Sequence, residues 1–449
     1  MFKISLYYTY TMYIRNATIR NIRSIEAFSM EFPKKAAGWH VLIGDNGAGK
    51  STIIRSLALA LVGPKEALGL RADWRDWLRI GQQEGEIKIE LSNDKLDSHT
   101  GQQRSLTKSL IPNILRFTQQ QNGTIEFSDE EDSKEKDTKG QKRIDPFTYN
   151  WGKGKGWFSV AFGPFRRFAG GNQEWAKIFY SQPKLGAHLS VFGEDIALTE
   201  AIEWLKQLNY QALEQDTEAA ETLEHLKTFI NSSGFLPHQA MIERISSEGV
   251  FFKDGNGSLI HVNQLSDGYR SILSLTFELI RQLVRVYSAT TVFRQMSSGK
   301  LLIDVPGVVL IDEIDSHLHP TWQTRIGEWF VKYFPNIQFI VTTHSPLVCR
   351  ACEHGTIWRL SAPGSSLPSG QIMGMEKEKL VYGNILDAYG TNVFGTAITI
   401  SQEAVHKRNR WSELKIKALF SPSPSLNENE QQELITLEKI FSTEKLMLP

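Results

Sequence analysis

One stretch limits what this chain can fold into more than any other. Val41-Leu42-Ile43 is an apolar run short enough for a buried strand, and Gly44-Asp45-Asn46-Gly47-Ala48-Gly49-Lys50-Ser51 then fits G-x-x-x-x-G-K-[ST] at each fixed position. Ile53, Ile54, Leu57, Ala58, Leu61 and Val62 follow at helical spacing, and Gly63-Pro64 closes the helix. Strand, loop and helix are the setting in which this pattern cradles phosphate. The glycines let the backbone wrap closely with its N–H groups turned inward, and the helix start adds a positive dipole end. Residues 44 to 52, Thr52 included, are the expected phosphate site, with Lys50 reaching the outer phosphates and Ser51 ligating Mg²⁺.

The chain has 449 residues, room for two or three domains or for one large domain with insertions. Lys+Arg and Asp+Glu are both 50, so the whole-chain charge gives no pull on nucleic acid, and any basic groove must be local. Cys349 and Cys352 form a lone C-x-x-C with no second pair, which reads as two reduced thiols rather than a zinc site or a redox pair. The first residues lack the basic start and long apolar core of a signal peptide, and no run of 18 apolar residues occurs. The expected compartment is the cytoplasm, with no membrane partner.

Two strands are expected over residues 13–32, and Met12 is a second candidate start of the chain. Asp73–Leu78 reads as a helix-turn segment and Glu86–Leu91 as a strand. Asp129–Gly140 is dense in both charges and reads as a solvated loop. Trp157–Phe162 reads as a strand running into a Gly163-Pro164 turn, after which Arg166 and Arg167 are either exposed or able to reach phosphate or a partner. Residues 197–231 read as helices too short for a coiled-coil arm, and Met241–Val250 with Leu259–Val262 as a hairpin. A helix is expected from Asp267 to about Tyr287. Residues 361–372 read as a linker, and 375–449 as mostly helical, interrupted at Ser421–Ser425.

Three further motifs stand in order after the phosphate loop. Leu265-Ser266-Asp267-Gly268-Tyr269 resembles the L-S-G-G-Q signature of ABC-type ATPases. Val308–Ile311 followed by Asp312-Glu313 resembles their Walker B strand, and Phe339-Ile-Val-Thr-Thr-His344 resembles their switch-histidine strand. More narrowly, Asp312-Glu-Ile-Asp315-Ser-His317-Leu-His319-Pro320 and Thr342-Thr-His-Ser-Pro346 resemble the SMC/RecF-like and OLD-like ATPases. The stretch from Gly44 to Leu265 is longer than in transporter subunits. The chain looks most similar to small arm-less members of the group, as in Septu-, PARIS- and retron-type anti-phage systems, with a looser match at Asn384–Gly390.

The resemblance implies an α/β ABC-type ATPase head with an inserted helical lobe and a helical C-terminal region. It divides the chain into residues 1–95 and 241–360 as the two halves of the core, 96–240 as the insertion, and 361–449 as linker and helical tail. It implies ATP and Mg²⁺, the metal on Ser51 and Asp312. Glu313 would orient or deprotonate the attacking water, and His344 would meet the γ-phosphate or that water. Adjacent carboxylates after an apolar strand are costly unless a cation or hydrogen bonds offset them. Ser266 and Gly268 would donate to a γ-phosphate held by a second copy, making a homodimer, or a higher oligomer, around sandwiched ATP. Asp315 would lie at the seam or simply start the next helix. His317 and His319 with Asp315 could mimic a metal site, but Pro320 points to helix-start packing. Position 267 departs from the signature's glycine and Tyr269 from its glutamine. Gln82, Gln83 or the Gly163-Pro164 turn could stand where the class has its Q-loop. The expected role is a dimeric switch acting on a separate nuclease or toxin. The alternative is a RecF-like ATPase that binds DNA, and the third reading is a transporter-type subunit.

Overall fold

The computed structural model describes residues 13–70, 74–92, 110–128, 146–151, 157–166, 182–193, 199–236, 239–365, 367–384, 388, 391, 402–420 and 426–441. The start through Met12, the charged run 129–140, Arg167, Ser421–Ser425 and most of Asn384–Gly390 lie outside them. The chain divides into two compact units, Met1–Gly383 and Asn384–Pro449.

The larger unit is built round the helix Lys50–Val62, which is buried on every side. Its sequence has no polar face after Arg55, and such a helix needs apolar neighbours all round. Two sheets supply them. One is antiparallel, in the order β2 (Ile25–Glu31), β1 (Ile14–Ile22), β4 (Glu84–Leu91), β5 (Ile111–Gln119), β6 (Ile125–Ser128). Its strands alternate, so Ile87, Ile89 and Leu91 of β4 are buried while Lys88 and Glu90 lie partly exposed. The other sheet runs β14 (Gly370–Ile372), β13 (Ile357–Leu360), β3 (Gly38–Gly44), β12 (Ile337–Thr343), β11 (Gly307–Ile311), β7 (Ser159–Phe162), parallel except for β14. β7, β11 and β12 are buried throughout, as a parallel sheet covered on both faces requires. Leu42, Ile340 and Leu310 face the central helix, in one core with Ile19, Leu57 and Phe117. On the opposite face Trp39 of β3 stacks on Phe330 of the helix Pro320–Tyr333 at 6.1 Å and donates from Nε1 to the Val348 carbonyl.

A helical lobe follows β7 in sequence. The helices Thr199–Leu213 and Thr217–Ser232 pack together, and the first also packs on the helix Asp267–Tyr287. A small antiparallel sheet joins them: β8 (Met241–Ser246), β9 (Gly249–Lys253) and β10 (Leu259–His261). The expected hairpin is thus three-stranded. Ser247-Glu248 turns the chain a second time, helped by Gly249 at φ +139°. In the smaller unit, Gln402–Phe420 and Glu428–Phe441 run antiparallel, joined by Arg410–Glu433 and Lys417–Glu430 ion pairs over a core of Leu414, Leu426 and Leu437.

Candidate functional site

Because β3, β7, β11, β12 and β13 are parallel, their carboxyl ends share one sheet edge, where open α/β sheets place their ligands. That edge collects Gly44 after β3, Asp312 after β11, His344 after β12 and Gly163 after β7. The phosphate loop, the acid pair and the histidine are therefore neighbours despite nearly 300 residues of intervening chain.

Each glycine of the loop has its own reason. A side chain on Gly44 would lie 2.3 Å from the Leu360 carbonyl, so β13 could not pair there. Gly47 and Gly49 take φ +76° and +96°, in the left-handed region. Gly49 caps the helix without a side-chain bond, and no acidic residue stands in the first turn, so the helix start keeps its donors for an anion. Asp45, Asn46 and Gly47 are exposed, Ala48 and Thr52 are buried, and Ser51 is half-buried at the rim. Lys50 folds back, its Nζ donating to the Gly44 and Asp45 carbonyls at 2.8 and 2.9 Å and reaching His344 Nδ1 at 3.4 Å. An ammonium only donates, so Nδ1 is the acceptor there. Burial lowers the Lys50 pKa, against the raising effect of Glu313, Asp312, Asp315 and Asp45.

The acid pair is held by Thr342. Its Oγ1 donates to Asp312 Oδ1 at 2.6 Å and accepts from the Glu313 N–H at 2.7 Å. Asp312 Oδ2 is buried with no hydrogen-bond partner. A cation there would offset the cost of burying that oxygen, and one held by Asp312 with Ser51 would fit magnesium's preference for oxygen ligands. Glu313 has φ +47°, uncommon for a residue with a side chain, and its Oε2 accepts from Ser316 Oγ at 3.0 Å. Asp315 Oδ2 accepts from the His344 N–H at 3.2 Å, while its Oδ1 is buried without a partner.

Ser266 is the N-cap of the helix Asp267–Tyr287, yet its hydroxyl makes no capping bond and is exposed. Gly268 packs so tightly that an added Cβ would sit 2.7 Å from the His317 carbonyl. Ser266, Gly268 and Tyr269 line a cleft of about 110 Å³ with His317, Leu318 and Trp322, and no phosphate-loop residue lines it.

Arg166 is neither exposed nor aimed at phosphate. It is buried, and its guanidinium binds carbonyls of the acid pair. Gln82 and Gln83 lie at the exposed turn before β4, in the antiparallel sheet. Gly163-Pro164 instead follows β7 beside Asp312, whose N–H donates to the Phe162 carbonyl at 2.8 Å. His319 caps the helix Pro320–Tyr333 by accepting from the Thr321 N–H, and among the described residues no group of three or more His, Cys, Asp or Glu could hold a metal. Cys349 and Cys352 are buried free thiols whose pKa values burial raises. Sequence reasoning missed the role of Thr342 and that of Ser271, whose Oγ accepts from Arg166 Nε at 3.1 Å. The available signal was a hydroxyl in an otherwise apolar buried strand or helix face, which must find a partner.

Two families match the chain: one described as "AAA domain" over residues 17–233, the other as "AAA domain, putative AbiEii toxin, Type IV TA system" over residues 173–350. The Septu protein PtuA of Bacillus mycoides (strain KBAB4) is 27% identical over 449 residues, 98% of this chain and 52% of the relative. The chain thus spans about half that relative's length. The Retron Ec83 probable ATPase of Escherichia coli is 28% identical over 394 residues, 76% of this chain and 70% of the relative. Among solved structures, an SMC head bound to the C-winged helix domain of ScpA overlaps 81% of this chain and 98% of its own, with 14% identity and a TM-score of 0.44. RecF with ATP overlaps 81% and 100%, with 12% identity and a TM-score of 0.38. Among the described residues no helix is long and apolar enough to cross a membrane.

Proposed function

We propose that this chain, similar to the Septu protein PtuA and a retron probable ATPase, is an SMC/RecF-like ATPase that acts as an ATP-driven switch in anti-phage defence. Two copies close round ATP, hydrolysis parts them, and the cycle controls a separate effector. The observation that carries this reading is that one chain holds two half-sites. One is a phosphate loop with Asp312, Glu313 and His344 at a single sheet edge. The other is a helix tip at Ser266 whose hydroxyl serves no bond of its own helix.

In that reading Lys50 leaves its loop carbonyls for the outer phosphates, which the backbone donors at the helix start would also meet. Glu313 takes the proton from a water as its oxygen bonds to the γ-phosphorus and the β–γ bridge breaks, giving ADP and phosphate. His344 orients that water or the phosphoryl oxygens, and Ser266 and Gly268 of the second copy donate to the same oxygens. Magnesium, on Ser51 and Asp312, would supply charge neutralisation across the phosphates. In the smaller unit, Lys407, Arg410 and Lys417 of the long helix are paired with Glu403, Glu433 and Glu430.

The test is Glu313→Gln. With ATP it should elute as a stable dimer and hydrolyse ATP at least about a hundredfold more slowly, the scale of a lost general base. A variant that turns over at the parental rate removes Glu313 from its role. One that stays monomeric with ATP removes the sandwich. ATP-dependent DNA binding with a steep salt slope would favour the RecF-like alternative.

A further inference from the structure

Arg166 joins three parts of the molecule through one buried side chain. Nη1 donates to the Gly163 and Asp312 carbonyls, both at 2.8 Å, and Nη2 to the Glu313 carbonyl at 2.8 Å. Nε donates to Ser271 Oγ at 3.1 Å. Ser271 lies on the helix that Ser266 caps, only about 7 Å along the axis from the tip. The first three bonds hold the turn after β7 to the backbone of the acid pair, and the fourth reaches the helix Asp267–Tyr287. Burial lowers the Arg166 pKa to about 10, opposed by Asp312, Asp315 and Glu313, so the guanidinium keeps its charge at neutral pH.

Glu313 sits where such a connection matters. Its left-handed backbone persists only because its surroundings enforce it. The enforcing bonds are Thr342 Oγ1 on its N–H, and Arg166 Nη2 and the Ser316 N–H on its carbonyl. The planar guanidinium fork cannot follow a displaced Ser271 without changing its bonds to the carbonyls.

We propose that Arg166 is a positioning residue that makes the placement of Glu313 depend on the position of the Asp267–Tyr287 helix. This rests on the two-copy reading above. The tip of that helix would meet the partner's ATP, so nucleotide in one site sets the general base of the other. Hydrolysis is then cooperative in ATP, with a Hill coefficient above one.

Arg166→Ala would empty a buried charged site and could fail to fold, so Ser271→Ala is the deciding variant. It removes only the helix end of the connection, at a helical position that alanine favours. Three quantities are measured on the full chain: hydrolysis rate against ATP concentration, affinity for a fluorescent ATP analogue, and melting temperature. The expected result is a kcat about tenfold lower, the scale of one hydrogen bond to a charged group, and a Hill coefficient falling to one. Affinity should stay at the parental value, and the melting temperature should fall only by the few degrees that one lost buried hydrogen bond costs. Parental kcat and cooperativity would overturn the proposal, and so would losses that merely track a lowered melting temperature, which would make the contact a strut. Glu313→Gln separates the two levels. If it traps a dimer with ATP while Ser271→Ala behaves as the parent, the coupling alone falls; if it traps none, the coupling falls with the sandwich.

Discussion

Thr342→Val tests how the acid pair is held. Valine matches threonine in shape and suits a buried strand, so the change removes the hydroxyl with little else. Two bonds go at once: the 2.6 Å bond to Asp312 Oδ1 and the 2.7 Å bond from the Glu313 N–H. Losing a hydrogen bond to a carboxylate costs about 1.5–3 kcal/mol, and orphaning a buried amide about 1–3 kcal/mol. The new methyl returns about 1 kcal/mol of apolar burial. The net expectation is a loss of about 3 kcal/mol, read as a lower urea midpoint at unchanged slope by tryptophan fluorescence. Activity should suffer more, because Glu313 loses one of the contacts that keep its backbone at φ +47°. A fall in kcat of about a hundredfold or more is expected, the range for a displaced general base. Thr342→Ser keeps the hydroxyl and should cost about 1 kcal/mol with near-parental kcat. If Thr342→Val hydrolyses ATP normally, or if Ser proves as damaging as Val, the hydroxyl is not what holds the pair.

Two other expectations concern buried groups away from the reaction. His40 is buried on β3, its Nδ1 accepting from the Thr356 N–H at 3.2 Å and its Nε2 donating to the Ala36 carbonyl at 2.8 Å; burial lowers its pKa from 6.5 to about 4. Between those values the unfolded chain binds the proton and the folded one does not, so stability is full above pH 6.5 and falls as pH drops to about 4, by about 3 kcal/mol from this group. A His40→Gln variant should lack that share of the acid slope in urea melts, and an unchanged slope would reject the assignment. Cys349 and Cys352, buried with raised pKa values, should resist a thiol reagent in the native chain and react fully on denaturation. Fast native labelling would revive a redox role.

What the sequence shows of this protein follows from how local each signal is. The phosphate loop, the two acids and the histidine each end an apolar strand, and strand-ending motifs are legible because strand, turn and helix leave period and punctuation in a few adjacent residues. The central helix is equally open to reading, since its unbroken apolar run Leu57–Val62 demands cover on all sides. β5 and β6 were not foreseen. β5 pairs along its length with β4 across a stretch of unrelated composition, and pairing partners distant in sequence leave no mark in either strand. The same holds for the second turn at Ser247-Glu248, which carries no Asn-Gly or Asp-Gly sign.

Arg166 marks the limit most sharply. Next to Arg167, after a Gly-Pro turn, it has the look of a surface cation, since arginine is almost never fully buried unless paired. The pairing that permits its burial is not with a carboxylate side chain but with three carbonyls and a hydroxyl. None of those acceptors is encoded by residue type except Ser271, 105 positions away. Carbonyls become available only where strands end, and the ends of β7 and β11 meet only because the sheet is parallel there. Parallel pairing therefore does two things at this edge: it gathers the side chains that a motif can announce, and it exposes the backbone acceptors that no motif can. The chemistry of the site belongs to the first group. Its responsiveness, on the reading proposed for Arg166, belongs to the second, and substituting Ser271 is the way to see one without destroying the other.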